Sequence, residues 1–146
     1  MKNMFIEIAE LKTAVYDYTL GQITTDDVVI RSAILMAIQE ATSYLNGHYD
    51  TATIFNATGD ERNALVLEHC KSMAVWYIIR LSNAGILFDK AKIYYDNAIE
   101  WFKLVAGVGE SGKSIAPNLP LKREEDGKIV TTLRCGSNRK FKHDFD

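Results

Sequence analysis

Cysteine is scarce: Cys70 and Cys135 are the only two in 146 residues, and neither has a C-x-x-C partner. That excludes a disulfide framework and fits a reducing compartment. Histidine is almost as rare. His48, His69 and His143 share no metal-ligand spacing. Adjacent residues such as His69 and Cys70 project about 100° apart on a helix, too far to share one ion, so no metal is expected. No serine sits in a G-x-S-x-G frame. Cys70 falls in an apolar stripe, not in the exposed, electropositive niche that a nucleophile needs. An enzyme is therefore not expected, nor a cofactor. A surplus of one charge is also missing: 17 Lys+Arg face 19 Asp+Glu, a net of −2. A global basic signature for nucleic acid is thus excluded. Long apolar runs are lacking too. The longest, residues 73–79, is far short of the ~20 residues of a bilayer span. The N-terminus carries no basic-then-apolar leader, so the expectation is a soluble, intracellular protein without a membrane partner.

What is present is enough apolar material for one core, with 47% hydrophobic residues. Apolar spacing of three and four predicts four helices. The first, over residues 7–18, aligns Ile8, Leu11, Val15 and Tyr18. The second starts from a capping box with Thr24 as N-cap and Asp27 reaching back, and runs to about Gly47. Ile30, Ile34, Ile38 and Leu45 form its stripe, with Ala33, Ala37, Ala41 and Tyr44 beside it. Those small alanines allow a second helix to approach closely. Residues 46–60 read as a loop. A third helix over 60–82 faces Leu67, Cys70, Ala74, Tyr77, Ile78 and Leu81 inward, and Gly85 follows its end. A fourth over 89–106 carries Tyr94, Ala98, Trp101, Phe102 and Val105, and Gly107 ends it.

Residues 107–114 read G-V-G-E-S-G-K-S, a full match to the phosphate-binding loop pattern. Such a loop needs a buried strand delivering it and a helix leaving it, so that backbone N–H groups at the helix start meet the phosphates. Here the residues before it have helical spacing. After Ser114, Pro117 and Pro120 would break a helix within a turn. Too little chain follows to supply further βα units. Gly107, Gly112, Lys113 and Ser114 are accordingly read as a look-alike, a glycine-rich hinge after a helix.

Beyond the hinge the pattern changes. Residues 119–135 resemble two short strands around Asp126-Gly127, a strong hairpin signal, with Ile129, Val130 and Leu133 in a β-branched second arm. A lone hairpin is marginal in water, so it must lie on the body or on a neighbouring subunit. The tail that follows holds Arg139, Lys140, Phe141 and Lys142, the one stretch where basic and aromatic residues interleave. It could touch nucleic acid or protein. Charge is split along the chain: 8 Lys+Arg against 13 Asp+Glu over residues 1–100, and 9 against 6 over 101–146. Such asymmetry suits an acidic body with an arm that touches another acidic surface, although solvated charge is the commoner explanation. The expected fold is mainly α, a four-helix body over 1–107 followed by a linker, hairpin and extended tail over 108–146, the assembly arm.

Four local strings in order carry a resemblance. They are Met4-Phe5-Ile6 with Glu10-Leu11-Lys12, then Tyr44-Leu45-Asn46-Gly47-His48-Tyr49-Asp50, similar to Y-L-x-x-R-Y-D with His48 in place of Arg. Arg62 leading to Trp76-Tyr77-Ile78-Ile79-Arg80-Leu81 follows, then Tyr95-Asp96-Asn97-Ala98-Ile99-Glu100-Trp101-Phe102 with Gly107 after it. Together they resemble the head–tail connector (adaptor or head-completion) proteins of tailed bacteriophages, in particular the Mu-like group. The resemblance spans roughly residues 4–107. It implies a non-enzymatic ring subunit, typically a dodecamer, in the neck of the virion and assembled in the host cytoplasm. Its partners would be the portal protein, tail-completion or other neck proteins, and DNA passing through the lumen without sequence-specific binding. The alternatives are a small nucleotide-binding protein using residues 107–114, and a helical adaptor outside any virion.

Overall fold

The apolar stripes of three long helices meet in one core. In the computed structural model, which describes residues 4–14, 26–81, 88–108 and 113–123, these are α2 (Asp27–Leu45), α4 (Ala64–Leu81) and α5 (Phe88–Ala106). Two short helices accompany them, α1 (Ile8–Ala14) and α3 (Thr51–Asn56), and a 3₁₀ turn spans Gly59–Glu61. Among the described residues the fold is mainly helical and has no strand beyond one isolated bridge.

Side-chain contacts set the helix directions. Trp76 meets Tyr95 and His69 meets Trp101, so α4 and α5 run antiparallel. Tyr44 stacks on Phe102 while Glu40 bonds Tyr95, so α2 and α5 run parallel. Every alanine of the α2 stripe (Ala33, Ala37, Ala41) is fully buried, together with Ile30, Ile34 and Leu45. Small side chains there let α4 come close, as the spacing predicts. By length and composition α2 is apolar enough to cross a membrane, with a mean hydropathy of 1.2. Its apolar stripe instead packs on α4 and α5, leaving Val28, Leu35 and Met36 on the outer side.

The helix starts differ from the expected ones. α2 is capped by Asp26, whose carboxylate accepts from the Val28 N–H at 2.9 Å. Thr24, the expected cap, lies outside the described residues. A carboxylate next to the first turn also meets the positive end of the helix dipole, which favours Asp over Thr there. α4 begins at Ala64 and not at residue 60, because Asn63 Oδ1 accepts from the N–H groups of both Leu65 and Val66 at 3.1 Å. Residues 46–60, expected as a loop, contain α3. Asp50 caps it by accepting from the Thr53 N–H and hydroxyl, which holds its carboxyl below the usual range. α3 buries Ile54, and Phe55 packs edge-on against Phe5 at 5.0 Å. At six residues it is too short for an apolar period to show.

Two expected core residues face outward. Leu81 is 48% exposed and Tyr94 53% exposed. Val66, Met73, Trp76 and Ile79 on α4, and Ala91 on α5, are buried instead. Of the first helix, Leu11 is buried and Ile8 packs on the core, while Val15 and Tyr18 lie outside the described residues, as does Gly85.

Candidate functional site

The phosphate-loop string begins where α5 stops. Gly107 has φ 73°, the Val108 N–H reaches the Lys103 carbonyl at 3.0 Å, and the Gly107 N–H reaches Leu104 at 3.2 Å. These two bonds with a left-handed glycine form a Schellman cap. Gly107 is thus a helix C-cap, where the helix dipole presents its negative end and disfavours phosphate. Lys113 and Ser114 are exposed and followed by extended chain, with no helix over residues 113–117. Gly112 lies outside the described residues. The Ile115 N–H returns to the Leu104 carbonyl at 3.1 Å, tying the exit of the loop to the helix it left. Neither flank has the strand-then-helix frame. Lys113→Ala should accordingly leave thermal stability within about 0.5 kcal/mol of wild type, as for an exposed side chain. Calorimetry of the full chain with Mg-ATP and Mg-GTP should show no heat of binding. Micromolar binding that disappears in this variant would reverse the assignment.

The chain then crosses the body as a strap. Leu119 is buried, and Leu121 forms an antiparallel bridge with Tyr49. Asp50 N–H donates to the Pro120 carbonyl and Lys122 N–H to the His48 carbonyl, both at 2.9 Å. Pro120 has no N–H to contribute, but at this position only its carbonyl faces the partner segment. Lys122 Nζ also reaches the Asn46 carbonyl at 3.3 Å. The expected hairpin is therefore not what the described residues show: its first arm pairs with residues 48–50 of the body. The turn at Asp126-Gly127 and the second arm lie outside the described residues. So do all seven arm candidates, Ile129, Val130, Leu133, Arg139, Lys140, Phe141 and Lys142.

An open groove of about 620 Å³ runs between α3, the 3₁₀ turn and the strap. Ala57, Leu119 and Pro120 contribute apolar wall, and Asn56, Asn118 and Glu61 the polar edge. Asp60 adjoins Glu61 and is exposed. Neither carboxylate makes a hydrogen bond or ion pair among the described residues.

Two polar clusters went unseen in the sequence. Arg62 donates through Nη1 and Nη2 to both oxygens of Glu10, at 2.8 and 2.6 Å, and through Nη1 to the Phe5 carbonyl at 2.9 Å. Its Nε donates to the Gly59 carbonyl at 2.8 Å. This fork binds the N-terminal segment, with buried Phe5, Ile6 and Leu11, to the turn before α4. Arg62 holds the Glu10 carboxyl down to about 2. In the second cluster, Glu40 on α2 accepts from Tyr95 at 2.7 Å and from Tyr77, joining the three long helices. Burial, then these bonds to a carboxylate, push both tyrosine hydroxyls up.

Cys70, His69 and His48 make packing contacts. Cys70 is fully buried, and burial pushes its thiol up. His69 stacks on Trp101 at 4.8 Å, and burial lowers its pKa. His48 lies edge-on to Tyr49, and His143 is outside the described residues. Among the described residues no group of three or more His, Cys, Asp or Glu gathers to hold a metal. The strings that carry the connector resemblance fall on fold-holding positions: Tyr49 is buried, Asp50 caps α3, Arg62 clamps the N-terminal segment, and Phe102 is in the core. Comparison with family models, curated proteins and solved structures finds no match.

Proposed function

We propose that the chain is a structural subunit of a tailed-phage neck ring, joining the portal to the tail and forming part of the DNA channel. The observation that carries this reading is the strap. Residues 119–122 are fixed to the helical body by two backbone hydrogen bonds and a buried leucine, so the arm that continues from Arg123 leaves from a rigid point. A rigid body that launches an arm with a β-prone stretch and a basic segment, Arg139-Lys140-Phe141-Lys142, suits a protein built to join copies and neighbours. In the ring, the turn at Asp126-Gly127 would fold the second arm back beside the strap, and the tail would reach a neighbouring subunit or neck protein. The nucleotide-binding alternative is less favoured because the first glycine of its string caps a helix.

The strap also sets where to cut. Removing Leu119 and Pro120 would open the core and orphan the Asp50 N–H, so the informative truncation ends at Arg123. A chain lacking residues 124–146 should keep the helical signal of the full chain by circular dichroism and sediment as a monomer. It should fail to join portal assemblies and should leave particles that lose DNA. A truncated chain that still joins the portal and seals particles would remove the arm from the mechanism.

A further inference from the structure

The groove beside the strap has the chemistry to receive the tail of another copy. Ala57, Leu119 and Pro120 give it an apolar wall, and one edge carries Glu61, with the exposed Asp60 next to it in the chain; neither carboxylate makes a hydrogen bond or ion pair among the described residues. The Asn56 and Asn118 side chains likewise make no hydrogen bond there, leaving amide donors and acceptors for a bound backbone. An acidic edge repels phosphate, so a nucleic acid does not fit. A short peptide with an aromatic residue flanked by cations does. The chain holds one such stretch, Arg139-Lys140-Phe141-Lys142.

We propose that this groove docks residues 138–143 of a second copy, with Phe141 against Ala57, Leu119 and Pro120 and the flanking cations over Asp60 and Glu61. Reach permits it. The 18 residues from Arg123 to Phe141 span up to ~60 Å when extended, about twice the ~28 Å length of a 19-residue helix such as α5. A tail of that length can cross to an adjacent subunit. The inference rests on the ring reading only in supplying the second copy.

Two full-length preparations in a Cys135→Ser background test it, one with Ala52→Cys in the groove and one, carrying a size tag, with His143→Cys. On mild oxidation the mixture should form the mixed disulfide dimer. Asp60→Lys with Glu61→Lys in the groove chain should reduce that product roughly tenfold, since like charges then face each other. Arg139→Glu with Lys140→Glu in the tail chain should restore it. Absence of the mixed dimer, or a yield indifferent to charge reversal, overturns the inference. So does a chain carrying both cysteines that closes only on itself, which would make the groove's occupant its own tail. If rings form on the portal without the cross-link, the docking inference fails and the ring reading stands. A charge-sensitive cross-link without portal binding has the opposite meaning.

Discussion

Phe102→Ala should destabilise the protein by about 3–5 kcal/mol, the cost of emptying a fully buried aromatic site. The site sits where the three long helices converge. Phe102 stacks on Tyr44 of α2 at 6.1 Å, lies edge-on to His69 of α4 at 6.2 Å and touches Trp101 of its own helix at 5.1 Å. None of these rings can collapse into the void without giving up a contact with another. In a chain of this size the loss corresponds to a fall in melting temperature of roughly 10 °C or more. A melt lowered by only a degree or two would mean that α2, α4 and α5 do not meet at this point.

Arg62→Ala should cost about 2–3 kcal/mol and release the N-terminal segment. The Arg62 and Glu10 side chains are 12% and 26% exposed, so the pair is largely out of water, and removing Arg62 takes both fork bonds from the Glu10 carboxylate while the Glu7 N–H still donates to it. The Phe5 and Gly59 carbonyls lose their donor as well. Hydrogen exchange should therefore speed up over residues 4–14 before it does in α4. The same pair gives a pH signature. Arg62 holds Glu10 at about 2 against an ordinary 4.5, so the folded state binds this proton less readily than the unfolded chain. That contribution is fully present above pH 4.5 and disappears as pH falls toward 2. It should be largely absent in Arg62→Ala. Equal acid sensitivity of the two proteins over that interval would show that the fork does not hold in solution.

How much of this was readable beforehand depends on the range of the interaction. The α2 stripe was legible because a helix repeats its burial every three to four residues, and Ile30, Ala33, Ile34, Ala37, Ala41 and Leu45 are buried as the period requires. Gly107 was legible because ending a helix is a local, left-handed requirement. The G-V-G-E-S-G-K-S string was read by its flanks, which are local too. Contacts across the sequence left no such trace. Arg62 meets Glu10 52 residues away, and Tyr95 meets Glu40 55 residues away. The strap pairs residues 120–122 with residues 48–50, although the Asp126-Gly127 turn signal and the β-branched residues after it suggested pairing with the second arm of a hairpin. A strand period marks an edge that wants a partner; it does not say which edge will supply it. Tyr94 and Tyr95 show the same limit on a helix: both suit an apolar face, and only the position of α4 puts Tyr95 inside. The groove was invisible for the same reason, since its walls come from residues 52–63 and 118–120.

In the proposed neck, copies of this chain close into a ring on the portal through their C-terminal arms. Electron microscopy of the full-length chain bound to its portal tests that directly. A closed ring around an open channel is expected, with the segment after Arg123 of each subunit running onto its neighbour or an adjoining neck protein. A chain that remains monomeric and unattached beside an otherwise complete portal, or a ring whose arms fold only onto their own bodies, would contradict it.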